Sequence, residues 1–177
     1  SRAGEKLKEA LDTFHVSLKD YVVVDIGSST GGFTDCALHD GAREVHAYDV
    51  GTDQMDETLR KDERIHLHEQ TNILYVIIPD SDMVLIEVSF TSVKPIISHI
   101  APQTKSAIVL LKPQFETDGK LLKNGVLKDQ KMHQKVIDSF ISHIKFLSFD
   151  IVGFTPSSLK GKDGNVEYLF YLIKRGI

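Results

Sequence analysis

Tyr21-Val22-Val23-Val24-Asp25-Ile26-Gly27-Ser28-Ser29-Thr30-Gly31-Gly32-Phe33-Thr34 is the stretch that decides the fold. Tyr21 to Ile26 is mostly apolar and β-branched, the composition of a parallel strand buried on both faces. Gly27, Gly31 and Gly32 then let the backbone turn sharply. Phe33 to His39 reads as a helix, ended by Gly41. Strand, glycine turn and helix in direct succession open a doubly wound α/β domain, and the rest of the chain repeats that alternation.

Upstream, Gly4 to Phe14 is predicted helical, with Leu7, Ala10, Leu11 and Phe14 on one face. Downstream, strands are expected over Glu44 to Asp49, Ile65 to Leu67, Met83 to Val88 and Ser106 to Leu111, with helices over Gln54 to Arg60 and Val93 to Ile100. Pro113 to Lys128 is rich in glycine and lysine and reads as a long loop. Asp129 is placed to cap a helix in which Val136, Phe140, Ile144 and Leu147 recur at helical spacing. Strands over Phe149 to Phe154 and Val166 to Ile173 are joined by a turn-rich segment with no helix, so they should run antiparallel. The expectation is a seven-stranded, mostly parallel sheet with an antiparallel last strand and helices on both faces.

The 177 residues, 41% hydrophobic and 26% charged, suffice for one domain, 1–177, with a full core. No apolar run approaches the roughly 18 residues of a membrane helix, and no signal-peptide pattern opens the chain. The single cysteine, Cys36, excludes an internal disulfide and fits a reducing compartment, so a cytoplasmic location is expected. Cys36 itself reads as a small core residue. The net charge of -4 argues against nucleic-acid binding over the whole surface. Between Lys112 and Lys135, however, six lysines face Glu116, Asp118 and Asp129, a local balance of +3. The chain opens on Ser1 in the lead-in to a helix, and the expectation is a piece of a longer protein whose N-terminal module is missing.

The turn at 25 to 34 and Asp49, at the end of the second strand, point to a nucleoside cofactor. A carboxylate at the end of that strand can accept both hydroxyls of an adenosine ribose. The glycine spacing departs from G-x-G-x-x-G, and the turn opens on an acid. A pyrophosphate seeks a free helix N-terminus. S-adenosylmethionine carries a sulfonium and an ammonium instead, so Asp25 suits it better than a dinucleotide. The expected cofactor set is Asp25, Gly27, Ser28, Ser29, Thr30, Gly31, Gly32, Phe33, Asp49, Val50 and Asn72. No metal site is expected: His66 and His68 share a strand face, but no third ligand stands beside them.

Ser1-Arg2-Ala3-Gly4-Glu5-Lys6-Leu7, the turn from Asp25 to Cys36, Thr71-Asn72-Ile73, Val88-Ser89-Phe90, Leu111-Lys112-Pro113-Gln114-Phe115-Glu116 and Gly164-Asn165-Val166-Glu167-Tyr168 together resemble the TlyA family. That family carries the historical label hemolysin and is similar to the FtsJ-type ribosomal RNA 2′-O-methyltransferases. The resemblance runs almost end to end. It implies a Rossmann-like methyltransferase fold, S-adenosylmethionine as cofactor, ribosomal RNA or ribosomal subunits as partner, and a small RNA-binding domain ahead of this one. It also implies a Lys-Asp-Lys-Glu tetrad, which falls on Lys6, Glu87, Lys112 and Glu167; glutamate at 87 departs from the family's aspartate.

Strand positions agree with that set. Glu87 and Lys112 end the fourth and fifth strands, and Glu167 begins an antiparallel last strand, so all three reach one edge of the sheet. A ribose hydroxyl is a weak nucleophile, and a lysine could take its proton as the methyl group transfers. Lys112 is the candidate base, with Lys6 as a like charge beside it and the two glutamates orienting the lysines. Two other functions are weighed. The departure at Glu87 raises a catalytically impaired RNA-interaction module, since misplacement by about 1 Å can cost around a hundredfold in rate. A membrane-lytic protein is disfavoured, because there is no apolar span and no strongly basic amphipathic helix.

Overall fold

A computed structural model describes Ser1 to Gly176. Its apolar runs form β1 (Val22–Ile26), β2 (Glu44–Tyr48), β3 (Ile65–His68), β4 (Met83–Ile86), β5 (Ser106–Leu111), β8 (Phe149–Pro156) and β9 (Tyr168–Lys174). They make one sheet in the order β3-β2-β1-β4-β5-β9-β8. The pairs among β1 to β5 are parallel. β9 is antiparallel to both its neighbours, so β8 runs the same way as β5. The seven-stranded, mostly parallel sheet of a doubly wound α/β fold is therefore present. β9 lies inside the sheet, between β5 and β8, rather than at its margin.

Helix α1 (Arg2–Phe14) precedes β1, and α2 (Gly32–His39), α3 (Glu57–Arg60), α4 (Lys94–Ile100) and α5 (Gln130–Phe146) lie between strands. Alternation along each strand divides the buried residues between two cores. Val23, Met83, Leu85, Ile108 and Leu110 pack with Leu7, Ala10, Leu11, Phe33 and Ala37 of α1 and α2. Val24, Ile26, Val84, Ile86 and Val109 pack with Ile97, Ile100, Phe140 and Ile144 of α4 and α5. Both faces of the central strands are thus apolar, which is why they read as continuous hydrophobic runs.

Caps set the helix starts. Ser1 accepts the Gly4 amide at 3.0 Å, and α1 begins two residues earlier than its apolar spacing suggests. Asp129 accepts from Lys131 and Met132, as expected for an N-cap. Asp56 caps α3, which is only one turn long because the preceding residues are a loop rather than the expected helix start.

The reading of 113–128 as one long loop requires correction. It holds a 3₁₀ turn, Pro113–Phe115, and a hairpin of β6 (Leu122–Lys123) and β7 (Val126–Leu127). Asn124 and Gly125 both take positive φ, 52° and 77°, the turn that Asn-Gly favours in a two-residue hairpin. Strands of two residues are too short to show alternation.

Phe140 is fully buried and meets Phe170 edge-on, 4.9 Å between centroids. Phe140→Ala should lower stability by about 3–5 kcal/mol, read as a lower urea midpoint with an unchanged slope; a midpoint equal to that of the parent would remove this contact from the core.

Candidate functional site

Strand order reverses between β1 and β4: β2 and β3 lie to one side, β5 to the other. A crevice at the carboxyl ends of the strands is expected there. A cleft of about 650 Å³ occupies the place. It is walled by Gly27 and Ser29 after β1, Asp49 and Val50 after β2, Asn72 to Leu74, Glu87 to Ser92 after β4, and Lys112 after β5.

The glycine turn is shaped by what it touches. Gly27 has φ +83°, and a Cβ there would lie 2.2 Å from the Glu87 carbonyl oxygen, so any side chain would push β1 and β4 apart. The Gly27 and Ser28 amides both donate to the Tyr48 carbonyl, at 2.9 and 3.1 Å. Asp49 fixes the far side: its Oδ2 accepts the Ser29 amide at 2.6 Å and its Oδ1 the Gly51 amide at 2.7 Å.

Asp25 is fully buried under the turn. Thr34 donates to its Oδ2 at 2.6 Å, while Oδ1 has no partner. Burial pushes this carboxyl up to about 7, the Thr34 hydroxyl offsets part of that, and the negative charges of Glu87 and Asp49 push the same way. A buried carboxylate with a free oxygen and two acidic neighbours is a place that favours a cation.

Lys112 Nζ donates to Glu87 Oε2 at 2.6 Å and to Ser89 Oγ at 3.0 Å. Lys6, from the buried face of α1, donates to Glu167 Oε1 at 2.7 Å, and Gln114 Nε2 donates to Glu167 Oε2 at 2.8 Å. The four charged residues are thus two separate ion pairs, each ammonium with its own carboxylate. Glu87 and Lys112 line the cleft, whereas Lys6 and Glu167, 6% and 1% exposed, do not.

Of the expected cofactor residues, Gly27, Ser29, Asp49, Val50 and Asn72 line the cleft. Asp25, Ser28, Thr30, Gly31, Gly32 and Phe33 do not. Phe33 faces the α1–α2 core instead, and Gly31 serves as the left-handed N-cap of α2. Asn72 spends its side-chain oxygen on the Leu74 amide.

Sequence reasoning missed Phe90. It is 87% exposed, has φ +64°, borders the cleft and packs against Phe115 with 5.1 Å between centroids. A bulky aromatic at positive φ is an outlier that only coordinates reveal. Glu116 was also missed as a brace: it accepts Ser92 Oγ at 2.6 Å and the Val93 amide at 3.0 Å, tying the turn after β5 to the start of α4.

Among the described residues no helix is long and apolar enough to cross a membrane. The family model for FtsJ-like methyltransferases matches residues 1–174. A Bacillus subtilis (strain 168) protein carrying an rRNA-methyltransferase label is 40% identical over 181 residues, 97% of this chain and 64% of that protein. The 23S rRNA (cytidine-2′-O)-methyltransferase TlyA of Campylobacter jejuni is 39% identical over 179 residues, 98% of this chain and 70% of that protein. A solved, hemolysin-labelled structure from Lactococcus lactis is 38% identical with a TM-score of 0.95, covering 99% of this chain and 88% of that one. This chain therefore spans a little under two thirds of the Bacillus relative's length.

Asp25 makes stability depend on pH. An unfolded carboxyl titrates near 3.8 and the folded one near 7. A raised folded value means a contribution fully present below the unfolded value and lost as pH rises through about 7. Asp25→Asn should remove that slope, gaining stability relative to the parent between about pH 4 and 7. Urea midpoints for both proteins across that range test it, and parallel curves would contradict it.

Proposed function

The chain belongs to the FtsJ-like methyltransferase family, and we propose that it transfers the methyl group of S-adenosylmethionine to a ribose 2′-hydroxyl of ribosomal RNA, with Lys112 as the general base. One observation carries the reading: Lys112 Nζ stands at the cleft, held by Glu87 and Ser89. The name of the Campylobacter relative supports the substrate class.

The residues present fit the cofactor. The unpartnered Oδ1 of Asp25 lies beneath a turn that Asp49 and Glu87 also make acidic, a setting for a cationic ligand. Asp49 uses two of the roughly four acceptor sites of a carboxylate on the Ser29 and Gly51 amides, leaving two for ribose hydroxyls. Gly27, Ser29, Val50 and Asn72 would contact the ligand, while Ser28, Thr30, Gly31, Gly32 and Phe33 would hold the turn. When bound, S-adenosylmethionine supplies an electrophilic methyl group on its sulfonium.

The chain's own groups do the rest. A neutral lysine amine has two N–H donors and one lone pair. Glu87 and Ser89 take the two donors, which aims the lone pair at an incoming hydroxyl. Lys112 Nζ would accept the ribose O–H proton, a role worth about 10²–10⁴ in rate. Lys6, Glu167 and Gln114 form a buried hydrogen-bonded set that does not line the cleft. Phe90 offers an exposed ring on which a nucleotide base can stack, worth about 1–3 kcal/mol. The 2.6 Å contact between Glu87 and Lys112 supports the active reading over an impaired module, because the longer carboxylate still reaches its partner.

Lys112→Ala should lower methyl transfer to ribosomal subunits by about 10²–10⁴ with cofactor affinity retained. Asp49→Ala should weaken cofactor binding by about 10–100-fold, the value of a charged acceptor. Calorimetry with S-adenosylmethionine and tritium transfer separate the two effects; a Lys112→Ala protein with normal turnover would remove it from the mechanism.

Glu87→Asp should keep or raise single-turnover activity, since the charge remains. Glu87→Ala should abolish it by removing the acceptor that holds Lys112 Nζ in position. Equal rates for the parent and the alanine variant would show that this carboxylate has no part in the reaction.

A further inference from the structure

His66 and His68 lie on one face of β3, and a strand alone brings them no third ligand. The sheet supplies two more donors. β2 and β3 pair in parallel with His46 opposite His66. Glu44 lies two residues before His46, on the same face. Its Oε1 is 3.2 Å from His46 Nε2 and its Oε2 is 3.5 Å from His66 Nε2. The donor atoms of all three lie within 4.8 Å of one another. The two imidazoles stack, with centroids 4.6 Å apart and planes 13° from parallel.

We propose that Glu44, His46 and His66 form a binding site for a divalent transition metal ion of the zinc type. Donors around such an ion lie at about 2.0–2.2 Å from it and hence about 3–3.5 Å from one another. Each imidazole lies at about that spacing from one or the other oxygen of the Glu44 carboxylate, His46 from Oε1 and His66 from Oε2. Two imidazoles and one carboxylate select zinc, copper, nickel or cobalt over magnesium and calcium, which demand a shell of oxygens.

The placement also gives the ion something to do. β3 has four residues and pairs only with β2, at the margin of the sheet. The donors come from both strands, so the ion would join that margin to its neighbour. Side-chain exposures of 35%, 17% and 47% for Glu44, His46 and His66 leave room for water to complete the shell. None of the three lines the cleft, so the site is separate from the proposed methyl-transfer chemistry and can be tested without it.

The test is calorimetric titration of the chelator-treated protein with zinc chloride, beside cobalt(II) titration followed by visible absorption. One equivalent should bind, with a rise in melting temperature and a cobalt spectrum of nitrogen and oxygen ligands. His66→Ala and Glu44→Gln, both at partly exposed positions, should each weaken zinc by at least tenfold. His39→Ala, which removes the exposed His39–Asp35 pair on α2, should leave binding unchanged. Absence of a stoichiometric event in the parent would overturn the proposal. So would binding that survives both His66→Ala and Glu44→Gln, or binding lost with His39→Ala.

Discussion

The ammonium groups of Lys6 and Lys112 are withdrawn from bulk water at the carboxyl edge of the sheet, in residues only 6% and 9% exposed. An ammonium in that position is tolerable only with a carboxylate in contact, and removing one partner of such a pair costs about 3–5 kcal/mol. Glu167 meets Lys6 at 2.7 Å and Glu87 meets Lys112 at 2.6 Å. Much of the surrounding architecture follows from keeping these two contacts. α1 has to dock with Lys6 on its buried face, and β9 has to deliver Glu167 across 161 residues of chain.

The insertion of β9 between β5 and β8 solves the second problem. Tyr168 pairs with Leu111, so the residues just beyond that pair, Glu167 and Lys112, emerge side by side at one edge. The approach to Glu167 is tightly built. A Cβ on Gly161 would sit 2.2 Å from Glu167 Oε2, so only glycine lets that carboxylate take its place. Asn165, 3% exposed, bonds the Leu127 amide and the Gly125 carbonyl and so fastens the hairpin to the same segment. Glu9 of α1 accepts from Ser157 and Ser158 and ties the helix to the connection that follows β8. The hairpin, α1 and the β8–β9 connection therefore brace one carboxylate from three sides.

Legibility of the site followed the range of the forces involved. Gly27 and Asp49 could be named because each sits at a strand end, and strand ends are marked by local composition; Glu87 and Lys112 were implied by the family resemblance, with which their places at strand ends agree. Phe90 could not, since nothing in Val88-Ser89-Phe90 shows that its ring stands in solvent at positive φ. The hairpin was legible in principle from Asn124-Gly125, yet its strands are too short to alternate. Phe33 and Gly31 sit within the cofactor motif but point into the core or cap α2, because a sharp turn sends successive residues in opposite directions.

The amino-acid sequence by itself determined the alternation of strands and helices, the glycine turn and the antiparallel sense of the last strand. Each of these depends on burial period, turn chemistry or connection length, which act over a few neighbouring residues. Only the tertiary structure decided which carboxylate serves which lysine, that β9 enters the sheet between β5 and β8, and that Glu44, His46 and His66 share one face. Those outcomes rest on strand order and register, and register is set by packing across crossovers rather than by neighbours along the chain.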